Sequence, residues 1–283
     1  MLGLFKKKNA DPKREIRAVL GDVELPTFPA IVTTVLDRIR DEDVSFNDIS
    51  DLLAGDPGLT VRLLGTVNSA AFGLRQTVKS IHHAVSLLGR NQLESTLISV
   101  AVRQAVPESS SRGFVARRFW GTCALRAVAG RRLAELIDPS AGSETFTACL
   151  LQDLAVPFLS QHTGEPYADV LEEWHNGRQD LAQLERAAFE WDHATIAGWF
   201  CLEWDLPDRI SEAIATHHGV EPAAPCVLPA VELVAHLREV DEQYGVELLV
   251  ETAYERFEIP KDISTELLHD SAEAATDLAR LFA

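Results

Sequence analysis

The stretch from Ile49 to Gly89 leaves a folding chain few options, because its breaks fall at helical intervals and its apolar residues recur three and four apart. Ser45 stands where its hydroxyl can cap the free N–H groups of a first helix carrying Ile49, Leu52 and Leu53, which stops at Gly55. Asp56-Pro57 then restarts the chain as N-cap and first helical residue, where proline's missing N–H and fixed φ cost nothing. The second helix buries Leu59, Leu63, Leu64 and Val67, and Asn68 falls on the same side. A buried amide needs partners, so Asn68 is expected to tie down the following loop, with ligand contact as the alternative. After Phe72-Gly73, Ser80 caps a third helix with Ile81, Ala84, Val85 and Leu88 inward, closed by Gly89 in left-handed conformation.

The rest of the chain reads the same way. Residues 1–16 form a basic, slightly apolar tail, and the prolines of Leu25–Pro29 force an extended entry to a helix carrying Ile31, Val35, Leu36 and Ile39. Asn91 and Glu94 have capping-box spacing ahead of Leu93, Leu97, Ile98 and Ala101. The polar break 107–113 is a hinge candidate. A long helix over 114–137 carries Trp120, Cys123, Ala124, Ala127 and Val128, and Asp138-Pro139 ends it. The next begins near Ser143, and Pro157 is expected to kink or break it about one turn after Asp153. Further helices are expected over 167–174, 181–204 with a break near Trp191, and 207–218, followed by two or three in a C-terminal extension over 221–283 that packs on or beside the domain at 17–220. No strand-like alternation persists, so the fold class is all-α.

Three successive helices place an ionisable residue on their apolar faces. Phe146, Cys149, Leu150 and Asp153 fall at i, i+3, i+4 and i+7, as do His193, Ile196, Ala197 and Phe200, and Ile210, Ala213, Ile214 and His217. Burying any one of these polar groups alone is costly, so Asp153, His193 and His217 are expected to meet, with His218 at the edge and Gln152 beside Asp153. Two solutions satisfy them. One is a hydrogen-bonded Asp–His network that orients helices. The other is a metal site with Asp153, His193 and His217 as ligands.

Charge and cysteine usage narrow the function. A net charge of −17 disfavours direct nucleic-acid binding. No apolar run is long enough to cross a membrane, and the short Leu2–Lys8 cluster supports no stable membrane association. Cys123, Cys149, Cys201 and Cys226 are widely spaced and form no C-x-x-C pair, which reads as reduced core thiols in a cytoplasmic protein.

Eight ordered blocks carry a family resemblance: LPTFP from Leu25, GDPGLTVRLLGTVNSAAFG from Gly55, SIHHAVSLLG from Ser80, Phe119-Trp120, LLQDL from Leu150, WDHATIAGW from Trp191, WDLP from Trp204 and AIATHH from Ala213. Together they resemble the HDOD family, the HD-related output domain of bacterial signalling proteins, over about residues 25–218. The resemblance implies an all-helical domain related to the HD phosphohydrolases, which hold divalent metal through an isolated His, a His-Asp dyad and a later Asp. Here the dyad reads Gln152-Asp153, the isolated-His position offers Thr122 and Cys123, and the last aspartate aligns with His236. His193, His217 and His218 match histidines of the HDOD pattern. The expectation is therefore a non-enzymatic regulatory module acting through protein contacts or ligand sensing, with no cofactor. Its partners would be proteins of a bacterial pathway linked to cyclic-di-GMP or two-component signalling, or a second copy of the chain. The alternative is an HD-type metal-dependent phosphohydrolase or phosphodiesterase. A third reading, a nucleotide pocket without turnover, would draw on Arg62, Arg75, Lys79 or Arg90.

Overall fold

Asp11 caps the first helix and Ser45, Asp56 and Ser80 cap later ones, so side-chain oxygens at the expected breaks set where the chain turns. The computed structural model describes residues 11–23, 25–107, 111–219 and 226–282, and among these there is no strand. The first helix, α1 (Pro12–Leu20), begins inside the expected 1–16 tail because Asp11-Pro12 forms a cap and first turn, and Ile16 and Leu20 are buried. Residues 1–10, including the Leu2–Lys8 cluster, lie outside the described residues. The Leu25–Pro29 segment delivers the chain to α2 (Ala30–Arg40), and Trp204 holds that entry by donating from Nε1 to the Pro26 carbonyl at 2.9 Å.

The Ile49–Gly89 stretch forms α3 (Phe46–Ala54), with a full capping box between Ser45 and Asp48, and α4 (Pro57–Val67). Asn68 fulfils its tying role but not its expected burial. It is an exposed C-cap whose amide clamps both backbone groups of Val78, accepting at 2.7 Å and donating at 2.9 Å. Gly89, non-helical at φ +67°, kinks α5 (Ile81–Ala105) at the expected close of the third helix, and the helix resumes directly after it. The expected cap at Asn91 does not form, since the break at Gly89 leaves Asn91 inside the helix, and Glu94 pairs with Arg40 at 2.7 Å.

At the centre lies α6 (Ala116–Ile137), packed against α7 (Gly142–Leu151). A Cβ on Gly130 would fall on the Cys149 sulfur, so glycine is what lets these two helices approach so closely. The break after α7 spans Gln152–Leu154, earlier than expected. Pro157 instead lies in the first turn of α8 (Ala155–His162), where an N–H would lack a helical partner anyway. Then come α9 (Glu165–Asn176), α10 (Leu181–Phe189), α11 (His193–Glu203) and α12 (Asp208–Thr216), the α10–α11 break passing through Glu190 at φ +68°. Residues 108–110 of the hinge candidate and 221–225 of the extension lie outside the described residues. The final helices are α13 (Pro229–Val234), α14 (Glu242–Phe257) and α15 (Lys261–Phe282). They join the same core: α13 and α15 flank α6, and Phe282 packs against Trp120 with ring centroids 5.8 Å apart.

Candidate functional site

Asp153 sits in the turn between α7 and α8, His193 opens α11, and His217 and His218 follow the last turn of α12. All four side chains meet, and one ligand atom from each lies within 4.8 Å of the others. Asp153 Oδ1 is 3.4 Å from His193 Nε2 and 3.3 Å from His217 Nε2, and His218 Nε2 is 3.0 Å from His193 Nε2. His193 and His217 are 1% and 2% exposed, so water cannot satisfy them. Gln152 is buried beside them but does not line the shared cavity, and Asn68 belongs to the α4 end.

The outward nitrogen of each imidazole is fixed by an acceptor. His193 Nδ1 donates to Glu185 at 2.7 Å, His217 Nδ1 to the Ile214 carbonyl at 2.6 Å, and His218 Nδ1 to Asp180 at 2.9 Å. With the proton on Nδ1, each Nε2 turns a lone pair inward unless the ring is charged. Burial pushes His217 down to about 4, helped by neighbouring His218, so its ring is neutral and its Nε2 lone pair faces a carboxylate oxygen. For His193, burial opposes the charge, but Glu185 and Asp153 raise its pKa well above the ordinary value. Asp153 Oδ1 and His217 Nε2 are buried and have no hydrogen-bond partner among the described residues. Each such orphan costs about 1–3 kcal/mol, and a divalent cation among the four groups would satisfy them together.

The other oxygen of Asp153 is taken. Arg126, 3% exposed on α6, pairs with Asp153 Oδ2 through Nη1 and donates from Nη2 to the Leu237 carbonyl at 2.6 Å. Burial would raise the Asp153 pKa, but Arg126 and the imidazoles hold it well below the carboxylate range. Three groups here escaped the sequence reading. Arg126 lies on the same side of α6 as Cys123 and Ala127, and Glu185 follows Leu181 and Leu184 at helical spacing, so a polar residue on an apolar face was the available signal. Asp180 gave none, because an N-cap aspartate is ordinary at a helix start.

The centre opens on a cavity of about 710 Å³. Its far wall comes from the C-terminal helices and includes His236, Arg238, Tyr244 and Arg256, with Arg178 on the α9–α10 loop. The cations expected from sequence, Arg62, Arg75, Lys79 and Arg90, do not line it; Arg90 instead binds carbonyls at and just beyond the end of α2, including those of Ile39 and Asp41 at 2.8 and 2.9 Å. Arg238 is 8% exposed, donates from Nη2 to the Trp174 and Gly177 carbonyls at 2.6 and 2.9 Å, and makes no ion pair among the described residues. Burial lowers its pKa, whereas that of Arg126 is raised, because burial is outweighed there by Asp153.

The sequence profile of the HDOD domain matches residues 25–220. A candidate phosphohydrolase from Shewanella amazonensis SB2B has the same fold, with a TM-score of 0.74 and 21% identity over 96% of this chain and 98% of that one. So does a candidate signal transduction protein from Marinobacter aquaeolei VT8, with a TM-score of 0.73 and 17% identity over 96% of this chain and 65% of that one. An uncharacterized protein of Treponema pallidum (strain Nichols) is 23% identical over 213 residues, 75% of this chain; the match spans only 41% of that relative's length.

Proposed function

This chain belongs to the HDOD domain family, and on that footing we propose that it is a regulatory signalling module that senses a ligand at the Asp153–His193–His217–His218 centre, where one divalent ion is held. The observation that carries this reading is the convergence of three imidazoles and one carboxylate oxygen, each imidazole oriented by an acceptor on its other nitrogen. Such a donor set suits zinc or a neighbouring first-row ion. When bound, the ion would add positive charge to the floor of the cavity. The residues themselves favour sensing over hydrolysis. Four protein ligands fill a tetrahedral shell, whereas a hydrolytic centre keeps a position open for water. Arg126 occupies the second oxygen of Asp153, so that carboxylate has no free oxygen for a second ion. No helix among the described residues is long and apolar enough to cross a membrane.

Metal analysis of untagged protein is expected to find about one ion per chain, lost in Asp153→Ala, together with no metal-stimulated cleavage of a generic phosphodiester. Metal-dependent turnover abolished by Asp153→Ala would replace sensing with hydrolysis, and absence of metal would leave a bare hydrogen-bonded network.

A further inference from the structure

The cavity above the centre runs against the charge of the molecule. The chain has 43 acidic and 26 basic residues, yet four arginines and three carboxylates line this cavity. Most of the cations answer to a neighbour: Arg126 to Asp153, Arg178 to Asp241 at 3.1 Å and Arg256 to Glu232 at 2.5 Å. Arg238 does not. It is more than nine-tenths buried, and its bonds are to neutral carbonyls, with the Nε donor left unpaired among the described residues. A buried guanidinium without a counter-ion is unfavourable, and an anion in the cavity would supply one.

Backbone contacts hold Arg238 in place. Arg126 anchors the Leu237 carbonyl just before it, and α14 presses against the His236 carbonyl at Gly245, where a side chain would collide. The cation is thus held on a wall that is itself tied to Asp153 through Arg126. A volume near 710 Å³ is in the usual range for a small organic ligand and far larger than an inorganic ion needs. Several cations facing a metal-binding floor favour a ligand with more than one negative charge.

We infer that this cavity binds an organic phosphate of about nucleotide size, its phosphate held by Arg238 with Arg256 at the rim. Both arginines lie beyond the residues matched by the family profile. The inference rests on the sensing role proposed above for its biological use.

The test is calorimetric titration of chelator-treated and zinc-loaded protein with pyrophosphate, and with malonate as a carboxylate of comparable charge density. Pyrophosphate is expected to bind both forms, more tightly with zinc, and malonate at least tenfold more weakly. Arg238→Gln should weaken pyrophosphate binding at least tenfold with metal content unchanged. Arg256→Gln, an exposed change that does not endanger folding, should weaken it severalfold. Pyrophosphate affinity unaffected in Arg256→Gln and in folded Arg238→Gln, or malonate binding as tightly, would overturn the inference. Arginine-dependent binding without metal uptake would sink the metal centre and leave the phosphate site standing; metal uptake without pyrophosphate binding would do the reverse.

Discussion

Glu185 shows how much one side chain can hold. Fully buried, it accepts from the Tyr167 hydroxyl at 2.5 Å and from both the backbone N–H and Nδ1 of His193 at 2.7 Å. Glu185→Gln keeps the shape but turns an amide N–H₂ toward groups that are themselves donors. The expected loss is about 1–3 kcal/mol in urea unfolding, with metal affinity lowered ~10–100-fold because His193 is no longer oriented. An unchanged affinity would mean that His193 is not a ligand. At this scale the sequence exposed the inward Asp153, His193 and His217, since helical spacing alone places them on apolar faces. It did not expose Arg126 as the partner of Asp153, because that pairing joins residues on different helices.

Helix starts were legible because their causes are local. Ser45, Asp56 and Ser80 each accept a first-turn backbone N–H, as their residue types suggest. Asn91 failed as a cap because the break falls two residues earlier, at Gly89, so Asn91 already lies inside the helix; Glu94 pairs with Arg40 instead. Pro157 was read as a breaker because its distance from the next helix start cannot be seen locally. Helix against helix, Gly130 is the sensitive position. Gly130→Ala places a methyl where the Cys149 sulfur sits, with an expected cost of about 1–3 kcal/mol. Combining it with Cys149→Ala should recover part of that loss in thermal unfolding. Full additivity of the two changes would show that the contact is not what requires glycine.

For the whole molecule, the question is whether residues 226–282 are an appendage. Phe282 is 2% exposed against Trp120, and Leu278 is fully buried, both on the helix that flanks α6. Together with Val231, Leu233 and Val234 they close the core, and the same segment supplies the far wall of the cavity through His236, Arg238, Tyr244 and Arg256. A chain ending at residue 220 would expose these core faces, at about 25 cal/mol per Å² of apolar area. Calorimetry should show a sharp transition for the full chain and none for the truncated one. A truncated chain melting cooperatively within a few degrees of the full one would make the family domain self-sufficient.

The sequence by itself determined the helical class, most helix boundaries, the family and the inward placement of one carboxylate and two imidazoles, because spacing, caps and breaks act over a few residues. Only the tertiary structure decided that His218 joins them, that Arg126 occupies half of Asp153, and that Arg238 faces a cavity without a counter-ion. Those facts depend on which helix faces cross in space, and the close passage of α6 and α7 at Gly130, with α14 seated at Gly245, settles that crossing.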